Sequence, residues 1–377
     1  MAKIFKNKFV IILLLVVVFF FFGSITNTLV LNNRGIVVGM GIDVDDTGLI
    51  DLNCQILVAG AVGAEGEEND NYAILGAKGD TFGEAVQNMM ADSAEYMSFA
   101  HCNSIIVGKK IVQSGRLFTL LDELLKNSKI SENTNLVYYD GSPDEMLKQK
   151  VGINLMASFA IQRMISLSEG YSGVLKCTIK DYLTGVKSVG GASVIPEVVV
   201  SEKIDEAIGS DQGKGRVMLS LDTGACVTKD EFCGSLTREE VGYYNIVKKN
   251  FKLGTFSMTT SEGARSVEFR DKSVSSKVDD KTITASYDIK VRLVESLYIN
   301  DTKGRNDTDK QMLENKFKER VQKGIKALYE RFCDKGVDIF AVYGDFKKSY
   351  GKQFVAKNPS FNEKFNLKVE VEVNLAP

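Results

Sequence analysis

The chain reads as a mixed α/β, α+β protein. An N-terminal transmembrane helix (1–31) precedes two or three extracytoplasmic domains, the last a mainly antiparallel sheet with one long helix. Three observations predict this. Phe9 to Phe22 (FVIILLLVVVFFFF) is an unbroken run of fourteen apolar residues behind Lys3, Lys6 and Lys8, and the uncharged stretch continues to Leu31. Strand-like and helix-like segments then follow one another from Arg34 to Tyr139, the order of an α/β layer. The last third instead sets alternating strands beside one helix with an apolar stripe.

Fourteen helical residues span about 21 Å, short of the roughly 30 Å hydrocarbon core. Counted to Leu31 the stretch has twenty-three residues, enough to cross with some tilt. A secretory signal peptide shares the basic start and the apolar run. Ser24 and Thr26, however, make a poor small-residue cleavage site, so an uncleaved anchor is expected and a removed signal is the alternative. A buried soluble helix is the residual reading, since nothing polar interrupts one face. Lysines before the span and none just after it hold the N-terminus in the cytoplasm, which places the rest of the chain outside.

The remaining 346 residues exceed one core. Removing the three early lysines from a net charge of -2 leaves -5, mildly acidic and without a basic block, which argues against nucleic acid as a partner. There is one histidine, His101, and no tryptophan. Most metal sites and many general-base mechanisms draw on histidine. No catalytic, cofactor or metal residue is therefore assigned. The six cysteines (Cys54, Cys102, Cys177, Cys226, Cys233, Cys333) form no C-x-x-C pair and are too scattered for a disulfide scaffold.

Gly35 to Asp43 and Leu49 to Val58 predict two strands joined at Asp45-Asp46-Thr47-Gly48 as a hairpin. Thr81-Phe82-Gly83-Glu84 is a capping box opening a helix through Phe82, Val86, Met89, Met90 and Met97, with the methionines as core. Asn103 to Val107 predicts a buried strand. Leu117, Leu120, Leu121, Leu124 and Leu125 line a second helix, and Leu136 to Tyr139 is another strand. Ser142-Pro143 starts a helix, and a longer helical stretch follows through Ile153, Phe159 and Met164 to Glu169. Thr178 to Val186 predicts a short helix, and Ala192 to Val200, interrupted by Pro196, an edge strand.

Arg216 to Leu221 is a strand. Ala225 to Gly234 predicts a hairpin with Lys229-Asp230 at its turn, placing Cys226 opposite Cys233. That spacing admits a disulfide, with isolated buried thiols as the default. A second capping box, Thr237-Arg238-Glu239-Glu240, starts a helix to about Asn250. Strands over 255–260, 266–278 and 282–299 lead into the longest helix after the anchor, 308–333. Its Leu313, Phe317, Val321, Ile325, Leu328 and Phe332 form one stripe, and Gly336 stops it. Phe365 to Leu375 closes the chain as a strictly alternating strand.

Several motifs carry tempting chemistry. Gly39-x-Gly41 has the start of a dinucleotide loop but lacks the third glycine and the following helix. Asp43, Asp45, Thr47, Gly48 and Asp51 fall at calcium-loop offsets, yet the twelfth position is Cys54 instead of a bidentate glutamate; the reading is a solvated hairpin tip. GSDQGKG (209–215) has the wrong spacing for a phosphate loop, and neither Ser nor Thr follows Lys214. His101 has no nucleophile signature beside it.

The order of five segments resembles the Ger(x)C family, the C subunit of the nutrient germinant receptors of spore-forming bacteria. They are RGIVVGMGID (34–43), Thr81-Phe82-Gly83-Glu84-Ala85, HCNSIIVGKKIVQSGRLFTLLDELL (101–125), FCGSLTREEVG (232–242) and VDIFAVYG (337–344). The resemblance implies three extracytoplasmic α/β domains, here 32–150, 151–250 and 251–377, and a non-catalytic role beside two polytopic subunits of A and B type. It places the protein in the inner membrane of the spore. Members of the family are usually lipoproteins beginning at a lipid-modified cysteine. No cysteine precedes Cys54 here, so the helix itself is expected to be the anchor.

The leading expectation is thus a membrane-tethered, non-enzymatic receptor subunit acting through protein contacts. An exported solute-binding protein is the alternative, and a cell-wall hydrolase using Asp43, Asp45, Glu239 or Glu240 is less favoured, because turns and caps explain those carboxylates. The anchor reading predicts that the full chain sediments with membranes and resists extraction by high salt. A chain lacking residues 1–31 should stay in the supernatant; equal partition of both forms would contradict the tether.

Overall fold

The computed structural model describes Val16 and residues 34–57, 72–93, 96–152, 156–167, 173–201, 216–248, 253–260, 263–295 and 307–375. The predicted anchor lies outside these residues, as do the loops 58–71 and 202–215. Among the described residues no helix is long and apolar enough to cross a membrane.

The first hairpin forms as read: β1 (Arg34–Val44) pairs antiparallel with β2 (Ile50–Leu57), which pairs with β3 (Tyr72–Gly79). On its other side β1 runs parallel to β4 (Tyr96–Ser98) and β5 (Ser104–Val107), and β5 is parallel to β6 (Asn135–Tyr138). The sheet continues through β8 (Ser193–Ser201) to β9 (Arg216–Val227) and β10 (Phe232–Leu236), with the short β7 (Lys150–Val151) beside β9. It is therefore a mixed sheet, parallel at its centre and antiparallel towards both edges.

A parallel centre requires apolar cover on both faces, and the connections supply it. One face carries α1 (Phe82–Ser93), α2 (Lys109–Gln113), α3 (Leu117–Asn127) and α6 (Ile179–Gly185), with Phe82, Leu121, Leu124 and Tyr182 in a core with Met40 and Ile42. The other carries α4 (Pro143–Lys148) and α5 (Ala157–Leu167), whose Leu147, Ala160 and Ile161 meet Ile106 and Val137. Gly39 and Gly41 explain themselves here. A Cβ at 39 would stand 2.4 Å from Cβ of Ser158, and one at 41 would stand 2.8 Å from Cβ of Pro143. The glycine pair lets two helices lie against β1 and has no role of the dinucleotide-loop kind.

The C-terminal third is a four-stranded sheet, β11 (Leu253–Thr260), β12 (Gly263–Asp279), β13 (Thr284–Glu295) and β14 (Asn366–Leu375). The first three are antiparallel, but β14 runs parallel to β13. A parallel neighbour needs a long crossover, made here by α8 (Asp307–Cys333) and α9 (Val342–Lys357). The stripe on α8 is buried as predicted: Leu313, Phe317, Val321, Ile325, Leu328 and Phe332 are each at most 1 % exposed.

Several expectations are corrected. The helix started by Ser142-Pro143 forms as α4, but the longer stretch foreseen after it through Ile153 begins only at Ala157, as α5, with β7 between the two. β8 is interior, between β6 and β9; Pro196 is tolerated because the β6 pairing shrinks to one residue pair, Tyr138 with Glu197. The hairpin after β9 keeps its turn, with Thr228 N donating to Glu231 O at 2.9 Å. A bulge then shifts its register, so Cys226 opposes Gly234 instead of Cys233. All six cysteines are free and buried. β3, β4, α2 and α9 were not anticipated.

The helix α7 (Arg238–Lys248) joins the two sheets by packing on α8. Its capping box forms in both directions: Glu240 N donates to Thr237 Oγ1 at 3.3 Å and Thr237 N to Glu240 Oε2 at 2.9 Å. Gly324 on α8 makes the notch that receives the Tyr243 ring, since a Cβ there would lie 2.1 Å from it. Gly324→Ala should therefore destabilise the protein by about 1–3 kcal/mol through overpacking, read as a lower urea midpoint. Gly344→Ala, with open space around its Cβ, is the control; a midpoint unchanged by Gly324→Ala would contradict the notch.

Candidate functional site

The carboxylates at the first hairpin tip are committed to holding the backbone. Asp45 Oδ1 accepts from Thr47 N and Leu49 N at 2.9 and 3.1 Å and from the Thr47 hydroxyl, and Oδ2 meets Lys78 at 2.9 Å. These donors hold its carboxyl well below the usual carboxylate range. Asp43 Oδ1 accepts from Ile111 N at 2.7 Å at the start of α2, and Asp46 pairs with Lys110. Asp51 accepts from the Asn53 side chain. The calcium-loop spacing is thus a turn tying β1 to α2. Among the described residues no group of three His, Cys, Asp or Glu side chains is placed to hold a metal.

The other flagged residues are spread through the fold. His101 is exposed in the turn between β4 and β5. Burial pushes the Cys102 and Cys177 thiols up to about 12 and raises Cys54 and Cys226 as well. Such thiols stay protonated and unreactive. Glu239 accepts from Arg320 Nε at 2.9 Å and from the Tyr243 hydroxyl, and Glu240 meets Arg331 at 3.2 Å. Those carboxylates fasten α7 to α8.

The structure gathers polar side chains at a place the sequence did not mark, the junction between the large sheet and the C-terminal body. A groove of about 620 Å³ lies between α6, the start of β8 and α7, and is closed by Ile339 and Ala341. A second, of about 340 Å³, continues beyond Lys248 and Ala341 towards Lys272, Tyr287 and Asp345. The junction has a backbone tie too: Asp338 N donates to Gly190 O at 2.8 Å.

Three charges organise this region. Asp338 is 1 % exposed, and its two oxygens accept from Val342 N and Tyr343 N, each at 2.8 Å, at the start of α9. Burial pushes its carboxyl up to about 6, although those two N–H groups pull the other way. Lys272 Nζ donates to Asn245 O at 2.7 Å and to Ile246 O, in the last turn of α7, a favourable place for a cation. Burial lowers its ammonium to about 7. Asp345 accepts from the Tyr287 and Ser276 hydroxyls, both at 3.3 Å. The arrangement suits binding and anchoring of charged groups.

Sequence reasoning missed this set because its members come from six elements and the loop after α8, with no shared spacing. The one local signal was Tyr244 and Lys248, four apart on a predicted helix and hence on one face.

Comparison with known proteins now bears on the chain. Residues 27–200 match the family described as "Spore germination protein N-terminal domain". Residues 223–376 match "Spore germination B3/ GerAC like, C-terminal". A curated relative, spore germination protein KC of Bacillus subtilis (strain 168), is 23 % identical over 173 residues, 44 % of this chain and 42 % of that protein. The alignment thus spans less than half of that relative. The crystal structure of the GerBC protein has the same fold, with a TM-score of 0.55 and 13 % identity over 90 % of this chain and 97 % of the other.

The buried carboxyl at the junction sets a pH window. Between 3.8, the value of an exposed aspartate, and about 6 the folded state binds the Asp338 proton and the unfolded chain does not. Stability therefore falls as pH rises through that window, by up to about 3 kcal/mol. Urea midpoints from pH 4 to 7 should carry this slope. Asp338→Asn, which cannot titrate, should lose that part of it, and a variant with the parent's slope would remove Asp338 from the account.

Proposed function

Since the chain belongs to the GerAC-like family of spore germination proteins, we propose that it is a C-type subunit of a nutrient germinant receptor. In this reading it is held at the inner membrane of the spore by residues 1–31 and works without bond chemistry, through contacts with polytopic A- and B-type subunits. The observation that carries the reading is the pair of family matches, which together span nearly the whole chain after the apolar segment. The side chains fit it: the acidic residues that a hydrolase would need, Asp43, Asp45, Glu239 and Glu240, are engaged in turns, caps and helix pairing.

Tethering supplies the physical mechanism. A membrane anchor confines the soluble part near its partners and raises its effective concentration without any new contact. A signal then travels as a shift between packed arrangements, for which a differential contact in one state is sufficient.

The test is a pull-down of the tagged, detergent-solubilised full chain from sporulating cells. Two multi-span membrane proteins should be recovered, and a chain lacking residues 1–31 should recover less of both. If the full chain brings down no multi-span protein, the receptor reading fails.

A further inference from the structure

We propose that the groove between α6, α7 and the 339–341 segment binds a small organic anion, a carboxylate or phosphate group carried on an apolar body. The site is independent of whether the chain assembles with multi-span subunits.

Charge is the first argument. The two adjoining cavities are lined by Lys176, Lys180, Lys248, Lys272 and Lys348 against Asp181 and Asp345, in a chain whose net charge is -2. Both aspartates are occupied. Asp181 Oδ2 accepts from Thr178 N and the Thr178 hydroxyl in the capping box of α6. Asp345 takes two hydroxyl donors and lies 3.6 Å from Lys348. Two of the lysines are committed as well, Lys180 to Glu132 at 2.7 Å and Lys272 to the end of α7.

Lys248 is different. Among the described residues its ammonium has no ion pair and no hydrogen-bond acceptor; Asp338 and Asp345 act on it only through space. Asp338 offers it a field and no bond, since both its oxygens face backbone N–H groups of α9. One helical turn earlier on the same face stands Tyr244, whose ring stacks on Phe340 at 6.2 Å. Tyr244 lines the same groove, and its hydroxyl has no hydrogen-bond partner among the described residues. An ammonium and a phenol O–H separated by one turn provide two donors to one anionic group, and charge-assisted bonds of this kind are the strong ones.

The rest of the lining sets the body of the ligand. Cys177, Ala192, Val194 and Ile339 supply apolar surface, beside the hydroxyls of Thr184 and Ser193. A few donors in a mainly apolar recess is the usual composition of a small-molecule site. Ile339 and Ala341 come from the C-terminal body, and the remaining walls come from the large sheet and α7. A bound anion touches both, so its binding favours whichever packing of the junction holds the groove in this shape.

The experiment uses the detergent-solubilised full chain at constant ionic strength, following the thermal midpoint while titrating benzoate and phenyl phosphate, with benzamide as the neutral isostere. A saturable rise with at least one anion and none with benzamide is expected, and the tighter anion identifies the headgroup. Lys248→Gln should weaken binding about 10- to 100-fold, the loss of one charge-assisted bond, and Tyr244→Phe several-fold with the ring packing kept. Lys126→Gln, on α3 and outside the groove, should bind like the parent. The proposal is overturned by no saturable response to either anion, by an equal response to benzamide, or by parental affinity in Lys248→Gln. Should Lys248→Gln fail to fold, Tyr244→Phe decides alone, and parental affinity there overturns the proposal.

Discussion

Burial of one face of α8 is the interaction on which the arrangement of this chain depends. Six side chains from Leu313 to Phe332 leave water almost completely, and each such burial contributes about 1.5–3 kcal/mol before entropy is counted. The stripe is wider than a single neighbour needs. One side covers the inner face of the C-terminal sheet, where Leu367 and Val371 of β14 meet it, and the other receives Val241, Tyr243 and Ile246 of α7. Because α7 follows directly from β10, packing α7 on α8 brings the large sheet and the C-terminal body together. The groove is a consequence of that meeting: it lies where α7 ends and the loop after α8 turns back.

The junction is held by polar groups as well as by apolar ones, and they pull in opposite directions with pH. Asp338 favours its protonated form, so its contribution to stability is lost between 3.8 and about 6. Lys272 favours its neutral form. The unfolded chain binds more protons than the folded one between about 7 and 10.5, and stability rises with pH across that range. Between the two windows both groups are charged while withdrawn from water, the costly condition for buried ions. Their hydrogen bonds to backbone, at the start of α9 and the end of α7, compensate that cost and fix how the helices meet.

Much of the fold was legible locally. The first hairpin, the Thr237–Glu240 capping box and the stripe on α8 depend on residues within a few positions of each other, where side-chain spacing and backbone chemistry are coupled directly. The failures share a cause. Pro196 signals an edge strand by its missing N–H, but whether a neighbour lies beside it is decided by β6, far away in sequence. The pairing of Cys226 with Cys233 assumed a regular ladder, and a single bulged residue changed every later partner. α9 escaped notice because its sequence, with Gly344, Gly351, Lys347 and Lys348 among its apolar residues, has no clean stripe. It is recruited by the Asp338 cap and by Phe346 and Phe354, which stack at 4.8 Å.

Sequence alone determined the mixed α/β character, the uncharged N-terminal run, the caps, the hairpins and the identity of the core residues on α8, because each follows from composition or from spacing along one element. Segment order also sufficed to indicate the GerAC-like family. Only the tertiary structure decided the parallel placement of β14, the interior position of β8 and the setting of Asp338, Lys272, Tyr244 and Lys248 around one junction. Those outcomes depend on which surfaces meet across long stretches of chain, and no local pattern encodes the meeting of elements that pay their closure entropy only when the whole core forms.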